Sequence, residues 1–429
     1  GGSRPNINYA YGGGISIDEG TADSETSFGA NDIIGIALNL DDGEVIFYKN
    51  GTAQNSGTAY NLHTNTTHGN TGFSVQTATS GGNTKASFNF GSPAFGSTRN
   101  ITNDGNSDLQ PDFLWIKQRS GTENHYLGNS SIANKFLNSD RANAESTNVS
   151  GKELTYNSDG FAFAGSDSTW NGSSSTYVAW QWKANGGTES GSFSEVGTNP
   201  AVSFQANTDA GFSICTYTGT GGNGSFAHGL GVAPEWIIVK GRDIATDGMV
   251  YHGANTSAPE TDALTLPEAS GTSDNAGWWN DTAPTSSSVY IGTHDRVNSD
   301  GNTYVAYCFA PIKGYSKFGS YTGNASADGP FVYTGFKPSW VVIKNIDATA
   351  NWHMYDNKRD ATNPVETAFQ ANSSGAEFTT SNKLDFVSNG FKIRAGNQVS
   401  TNHDGVNYIY MAFAESPFVS SEGVPTTAR

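Results

Sequence analysis

Cysteine, methionine and long apolar runs are scarce in this sequence of 429 residues. It contains two Cys and three Met, and no long stretch has the 3.6-residue period of an amphipathic helix. A mainly helical protein is therefore excluded. No apolar run approaches the ~18 residues of a membrane span, and no signal peptide is recognisable, so we expect no membrane insertion. The first residue is Gly1, which favours a processed product or part of a longer chain.

Positive charge is scarce as well. The 23 Lys and Arg residues are outnumbered by 40 Asp and Glu residues, which gives a formal net charge of −17. Such a surface repels polyanions, and no cluster of basic residues interrupts it. We therefore expect no nucleic-acid partner, and we interpret the acidity as a contribution to solubility.

The two cysteines, Cys215 and Cys308, leave two interpretations open. One is a disulfide between them, and the favoured one is two buried free thiols that pack as small apolar side chains. The sequence has no Cys-x-x-Cys motif and no Cys and His arrangement with the spacing of metal ligands. We therefore expect no metal and no cofactor.

Glycine and turn-forming polar residues are abundant. The 52 Gly, with many Asn, Ser and Thr and 12% aromatic residues, are typical of an all-β protein with many turns. The hydrophobic fraction of 35% is low, but its residues cluster in short strands, which favours a folded chain over a disordered one. With ~150 residues per domain, the length allows about three domains.

One strand-like motif occurs three times. Residues 338–344 read Pro-Ser-Trp-Val-Val-Ile-Lys, and related motifs occupy residues 234–240 and 111–117. Proline cannot donate to a sheet ladder, so it belongs at the first position of a strand. The run of apolar residues after it predicts a strand that is buried on both faces. We call these three segments the marker strands.

A second triplet follows the marker strands at a matching distance, at residues 177–182, 304–309 and 408–413. Each segment begins with tyrosine and then alternates. Because successive strand side chains point to opposite faces, one face is apolar in all three copies. We call these segments the exit strands and predict that their apolar face lies in a core.

The marker and exit strands divide most of the chain into three related β-sandwich-like repeat domains. A period of about a hundred residues is too long for a solenoid unit, where periods run about 20–50 residues. Each repeat is therefore expected to be a small domain in its own right. The boundaries are residues 96–190 for repeat 1, 191–312 for repeat 2 and 313–429 for repeat 3.

Residues 1–95 carry a different pattern. Strand-like residues 31–40 lead through Asp-Asp-Gly at 41–43 into a returning strand that ends at Asn-Gly, residues 50–51, and Asn-Phe-Gly at 89–91 closes the pattern. This combination resembles the second half of an SPRY domain, a concanavalin-like β-sandwich. The resemblance implies a partial sandwich whose loops bind other proteins and which performs no chemistry.

The order of an SPRY-like segment and three repeats resembles appendage proteins of marine tailed bacteriophages. The marker strands, the exit strands and Tyr-Thr-Gly at 217–219 and 321–323 carry this resemblance. It implies a virion-surface or extracellular location, with other virion proteins and a host-surface glycan or receptor as partners. It also implies a homo-oligomer, with a trimer favoured.

No catalytic motif stands out. A nucleophile elbow and a phosphate-binding loop are not recognisable. His125, His252 and His353 each follow a marker strand but do not recur in register, so we expect no shared catalytic or ligand role for them. We predict a protein without enzymatic activity.

Carboxylates are numerous, but most stand in turn positions, where Asp is favoured for backbone geometry. A glycosidase needs two of them facing each other about 5–10 Å apart, and no pair stands out. Asp295, Asn298 and Asp300 could ligate calcium in a loop, although their spacing lacks the regularity of an EF-hand. No catalytic residue and no metal ligand is assigned.

The adjacent Trp278 and Trp279 are the main binding candidates. Neighbouring strand residues point opposite ways, so one ring is expected to pack inward while the other faces solvent. An exposed ring can hold a sugar or anchor a partner protein. The alternative is that both rings cover the core of their own repeat. Trp170 and Tyr290 are weaker candidates of the same kind.

The leading hypothesis is a non-enzymatic virion structural protein, a tail fibre or surface appendage that mediates host attachment or virion assembly. The alternative is a secreted cellular adhesin or a carbohydrate-binding module of a larger enzyme. A third hypothesis, a depolymerase, requires a pair of opposed carboxylates in a groove.

Overall fold

The protein is described from a computed structural model. The described residues are 110–415 except 133, 149, 150, 152, 158 and 159, together with 7–9, 14–17, 20–24, 27, 34–39, 44–50, 52–58 and 60–61. The chain divides into two compact units, residues 1–107 and 108–429. Their paired strands are antiparallel and the longest described helix is α1 (Asp295–Asn298), so the all-β prediction is confirmed. No described helix has the length and apolar character to cross a membrane.

The first unit contains two small antiparallel sheets among its described residues. Its strands are β1 (Ile7–Tyr9), β2 (Gly14–Ile17), β3 (Gly20–Ser24), β4 (Ile34–Asn39), β5 (Glu44–Lys49), β6 (Thr52–Ala53) and β7 (Tyr60–Asn61), and a 3-10 turn spans Asn55–Gly57. The hairpin predicted before residue 51 is confirmed, since β4 pairs with β5 from Ile34 opposite Lys49 to Asn39 opposite Glu44. The turn at 41–43 and the closing Asn-Phe-Gly at 89–91 lie outside the described residues.

Repeat 1 has a five-stranded sheet and a separate hairpin. Its strands are β8 (Phe113–Gln118), β9 (Tyr126–Asn129), β10 (Lys135–Leu137), β11 (Ser146–Thr147), β12 (Leu154–Asn157), β13 (Gly160–Phe163) and β14 (Tyr177–Trp182). The sheet order is β11-β10-β9-β8-β14, and β12 pairs with β13.

Repeat 2 has an eight-stranded sheet and a separate strand pair. Its strands are β15 (Gly191–Phe193), β16 (Val202–Asn207), β17 (Phe212–Thr218), β18 (Gly224–Ala227), β19 (Trp236–Gly241), β20 (Met249–His252), β21 (Asp262–Thr265), β22 (Ser273–Asp274), β23 (Ser288–Ile291) and β24 (Thr303–Phe309), and a 3-10 turn spans Pro259–Thr261. The sheet order is β15-β16-β17-β24-β19-β20-β21-β22, and β18 pairs with β23.

Repeat 3 is a nearly closed sheet. Its strands are β25 (Ser316–Thr322), β26 (Phe331–Tyr333), β27 (Pro338–Asn345), β28 (His353–Asp356), β29 (Val365–Gln370), β30 (Phe378–Val387), β31 (Gly390–Ile393) and β32 (Asn407–Ala414). The sheet order is β25-β32-β27-β28-β29-β30-β31-β26. Lys317 Nζ on the first strand donates to the Tyr333 carbonyl on the last at 2.7 Å, which brings the two edges together.

The marker strands β8, β19 and β27 occupy the same place in each repeat. Each lies between an exit strand (β14, β24 or β32) and the next short strand along the chain (β9, β20 or β28). All six residues of β8 and of β19 are buried. The prediction of burial on both faces is therefore confirmed.

The apolar faces of the three exit strands meet in one shared core. Trp182, Phe309 and Phe413, which hold equivalent positions in the three repeats, lie with ring centroids 5.6 to 6.0 Å apart in all three pairs. The same cluster includes Trp236 and Trp340 of the marker strands. The exit-strand face predicted to be in a core is there, but that core is common to the three repeats.

Each repeat also has an outer core of its own. The face of the exit strand that carries tyrosine and small residues packs against the outer hairpin, and in repeat 2 this face buries Tyr304, Ala306 and Cys308 completely. Cys215 joins the same cluster, and both cysteines are free thiols, as predicted. Burial raises the pKa of the Cys308 thiol well above its ordinary value.

Hydrogen bonds between repeats close a ring. At every boundary, the residue two positions after a marker lysine accepts an amide proton from the neighbouring repeat. The bonds are Glu377 N to Arg119 O (3.1 Å), Glu145 N to Arg242 O (2.6 Å) and Thr272 N to Ile346 O (2.8 Å). The donors belong to repeats 3, 1 and 2 and the acceptors to repeats 1, 2 and 3. The repeats are therefore arranged around a common axis with approximate three-fold symmetry.

Candidate functional site

Trp278 and Trp279 are both buried, with exposed fractions of 5% and 1%, so the expectation of one solvent-facing ring is not met. Both belong to the outer core of repeat 2, and Trp279 Nε1 donates to the Asp262 carbonyl at 2.9 Å. The pair lies in a turn at residues 276–281 and not in a strand, so strict alternation of faces does not apply. The structure thus agrees with the alternative that both rings cover their own core.

Trp170 is buried in the outer core of repeat 1. Its ring stacks on Phe163 with centroids 5.5 Å apart and lies 5.2 Å from Tyr126. Tyr290 on β23 is half-buried, which makes it the only one of the four sequence candidates with an accessible side chain.

Of the histidines that follow the marker strands, His125 and His252 contact a backbone carbonyl of another repeat, whereas His353 contacts Asn351 O of its own repeat. His252 lies opposite the first aromatic residue of its marker strand, where repeat 1 has Asn129 and repeat 3 has Asp356. All three positions bond the exit strand of another repeat. The bonds are Asn129 Nδ2 to Tyr307 OH (2.8 Å), His252 Nε2 to Tyr410 O (3.1 Å) and Trp180 Nε1 to Asp356 Oδ2 (3.3 Å).

The closing lysines of the marker strands are buried and donate to backbone carbonyls. Lys344 Nζ donates to Ala269, Asn345 and Ala350 at 3.1, 2.8 and 2.9 Å, and Ala269 belongs to repeat 2. Burial lowers the pKa of Lys117, Lys240 and Lys344 to about 8. These ammonium groups hold loops, and two of them also hold repeat boundaries, since Lys240 Nζ donates to Arg141 O of repeat 1 at 2.8 Å as Lys344 does to Ala269 O of repeat 2.

The loop considered for calcium is closed by internal hydrogen bonds. The side-chain amide of Asn298 accepts from Thr220 N at 2.8 Å and donates to Gly222 O and Gly292 O at 2.6 and 2.9 Å. Among the described residues, no group of three or more His, Cys, Asp or Glu side chains could hold a metal ion.

The strand β26 presents two aromatic rings to solvent. Phe331 and Tyr333 are 48% and 58% exposed and flank the buried Val332. Because alternate strand residues share a face, the two rings point the same way and are about 7 Å apart along the strand. We call this pair the aromatic face. It was missed at the sequence level, where only tryptophans and Tyr290 were considered.

Two lysines flank the aromatic face. Lys317 Nζ lies 5.2 Å from the Tyr333 ring centroid, in addition to its bond to the Tyr333 carbonyl. Lys392 lies opposite Phe331 on β31 and pairs with Asp328 at 2.6 Å. The corresponding strand of repeat 2, β18, buries Phe226 where β26 buries Val332 but carries small residues on its other face. Of repeats 2 and 3, only repeat 3 therefore carries exposed rings on this strand.

Repeat 2 carries a concave surface of its own. It is a groove of about 410 Å³ on the sheet that includes β15, β16 and β17, next to Arg242. Arg242 is fixed by Glu145 of repeat 1, with Nε 2.9 Å from the carboxylate. The groove is polar, since hydroxyl side chains make up most of its lining: Ser192, Ser194, Ser203, Thr216, Thr218 and Thr303.

A family model for a domain of unknown function, DUF7483, matches residues 91–417. The chain belongs to the DUF7483 family. The match spans the three repeats, in agreement with the single core that the DUF7483 repeats share. No curated protein and no solved structure matches the chain.

Proposed function

We propose that this DUF7483 protein is a non-enzymatic virion structural protein, a tail fibre or surface appendage. In this role it attaches to a host-surface glycan or protein and contacts neighbouring virion proteins. The observation that carries the proposal is the aromatic face, two exposed rings on a strand of a rigid, cross-bonded scaffold. Exposed aromatic side chains on a rigid strand suit recognition.

The placement of ionisable groups supports a role without chemistry. His125 and His252 accept hydrogen bonds at Nδ1 from Trp115 Nε1 and Ala254 N, and Nε2 of each faces a backbone carbonyl. Burial lowers the pKa of His125 to about 3 and that of His252 to about 4, so both are neutral at neutral pH. A general base needs a lone pair directed at a substrate, and these rings direct theirs at the protein.

Self-association belongs to the same proposal. Among the described residues, the aromatic face occurs in repeat 3 alone. Several weak contacts to a host surface then require several chains, which favours a homo-oligomer such as a trimer on a virion at the cell exterior. Sedimentation of the purified protein measures the number of chains per particle, and a monomer at every concentration contradicts this part.

Immunogold electron microscopy of virions tests the proposal directly. An antibody to residues 108–429 is expected to label a fixed position on each particle. Particles that carry no label in any preparation contradict the virion assignment. The second candidate is a secreted adhesin or carbohydrate-binding module, which the hydroxyl-lined groove favours. In that case the antibody labels the producing cell surface or the culture medium instead.

A further inference from the structure

We propose that the aromatic face is a stacking site for a neutral hexopyranose chain, an inference that rests on the attachment role proposed above. The axial C–H groups of a pyranose ring form a flat apolar patch that packs on an aromatic ring. Phe331 and Tyr333 offer two such rings about 7 Å apart on one face of a strand. The geometry thus suits two sugar units of one extended chain.

The size of the aromatic face favours a sugar over a protein partner. A Phe or Tyr side chain offers about 150–250 Å² in full, so the two half-exposed rings offer about 200 Å² together. A stable protein interface buries about 800 Å² on each partner. Lys317 and Lys392 flank the rings, which limits the apolar area on those two sides.

The charges near the aromatic face favour a neutral ligand over an acidic one. Lys392 is paired with Asp328, and the neighbouring Arg394 is paired with Asp385 at 3.3 Å. The Lys317 ammonium also lies close enough to the Glu235 carboxylate to act on it electrostatically, so the local charges balance. The formal net charge of −17 opposes the approach of a polyanionic glycan.

The rings are held in place before any ligand binds. The Lys317 ammonium packs over the Tyr333 ring, and Val332 between the two rings is anchored in the outer core of repeat 3. Gly390 pairs with Tyr333 across the strands, and a Cβ there would lie 2.0 Å from the Val332 carbonyl oxygen. The position must be glycine, and because a Cβ there would also lie 3.1 Å from Cε2 of Phe331, the glycine lets the Phe331 ring lie against the buried backbone of β31. A fixed site pays little ordering entropy on binding.

Calorimetric titration of the full chain with cellohexaose and laminarihexaose tests this inference. Wild type is expected to bind at least one of the two saturably. The double variant Phe331→Ser/Tyr333→Ala introduces small residues of the kind that repeat 2 carries on the corresponding strand. It should bind at least tenfold more weakly with an unchanged melting temperature, because the rings are exposed. Val232→Ala, which removes a 46% exposed apolar side chain outside both the aromatic face and the groove, is the control and should bind as wild type does.

Three outcomes overturn the proposal: no binding of either hexaose by wild type, equal binding by the double variant, or tighter binding of a polygalacturonate hexamer than of both neutral sugars. None of these affects the virion assignment, which stands or falls on antibody labelling of particles. Conversely, sugar binding that depends on the two rings, in a protein absent from virions, supports the site and contradicts the virion role.

Discussion

At the scale of single residues, three buried histidines are held in one tautomer. His125, His228 and His252 each accept an N–H at Nδ1 and direct Nε2 at a backbone carbonyl. A second proton on Nδ1 would face a donor, and burial opposes the charge as well, so the folded state lowers the pKa of all three. The folded protein therefore binds fewer protons than the unfolded chain in mildly acidic solution.

The pH dependence of stability follows from His252. Its pKa falls from 6.5 in the unfolded chain to about 4 in the folded protein. Its contribution to stability is complete above pH 6.5 and is lost as the pH falls towards 4. At about 1.4 kcal/mol per pKa unit, this loss lowers the free energy of unfolding by about 3 kcal/mol. The variant His252→Asn copies Asn129 of repeat 1. For this variant, the difference between the free energies of unfolding at pH 7 and pH 4, measured with urea, should be about 3 kcal/mol smaller than for wild type. The exposed His403→Asn is the control, and an equal loss in both variants contradicts the assignment.

The aromatic residue that opens a marker strand is expected to be a large contributor to stability. Trp340 is 5% exposed, and its ring lies 5.6 to 6.2 Å from Trp182, Phe413 and Trp180. Trp340→Ala should lower the free energy of unfolding by about 3–5 kcal/mol. Trp340→Phe, which reproduces the Phe113 of repeat 1, should cost much less. A small effect of the alanine variant in denaturant unfolding would show that this strand does not support the core.

The fates of Trp278 and Phe331 mark the limit of prediction at this scale. Composition identified aromatic residues but could not say which of them a neighbouring hairpin covers. Trp278 is enclosed because a turn brings it under its own repeat, whereas Phe331 is exposed because its strand lies on the outside of a nearly closed sheet. Both outcomes depend on tertiary packing, which a local sequence pattern does not reveal.

At the scale of elements, the tyrosine that begins each exit strand fastens the loop before it. Its hydroxyl donates to a carbonyl and accepts an amide proton in all three repeats. Tyr177, Tyr304 and Tyr408 donate to the carbonyl oxygens of Ser168, Asp295 and Val399, respectively. In the same order, they accept from the amides of Gly172, Ser299 and His403. The repetition of tyrosine there thus reflects loop closure.

Removing one of these hydroxyls tests that role. Tyr408→Phe deletes bonds of 3.0 and 2.8 Å to the loop at residues 399–403. It should destabilise the protein by about 1–3 kcal/mol, because the Val399 carbonyl and the His403 amide lose their partner. Hydrogen exchange should quicken at His403 in particular. The exposed Tyr333→Phe is the control, and equal exchange at His403 in both variants would contradict loop closure.

The marker and exit strands were predictable because their signals are local. A proline start, a β-branched and aromatic run and strict alternation each fix a strand within a few residues. The pairing of β8 with β14, and its counterparts in the other repeats, was not predicted. It depends on which distant segments share a sheet, and one copy of the sequence carries no such information.

At the scale of the whole second unit, the three repeats are one packing unit. The sequence predicted a self-contained core for each repeat, since an apolar face on every exit strand is equally satisfied by a sandwich of its own. The structure places those faces against each other, with Trp182, Phe309 and Phe413 at the centre. The same apolar face on all three exit strands is compatible with three separate cores and with one shared core, so the sequence pattern does not distinguish the two arrangements.

Folding of isolated pieces follows from this arrangement. A fragment of residues 191–312 would leave Trp236, Ile238 and Phe309 uncovered on its inner face. We expect it to lack a cooperative urea transition, whereas residues 108–429 should unfold in one transition by near- and far-UV circular dichroism. Native-like cooperative unfolding of the short fragment would contradict the need for a common core.

The three-fold arrangement inside one chain has a consequence for how its surfaces diversify. In an assembly of three identical chains, every substitution appears three times, so an exposed ring in one chain is present in all three. Here a single gene can keep Phe331 in one repeat and a small residue at the matching position of another, while the residues of the shared core remain apolar. Because the three repeats are joined in one chain, the surface of one repeat can change without the same change in the other two or in the shared core.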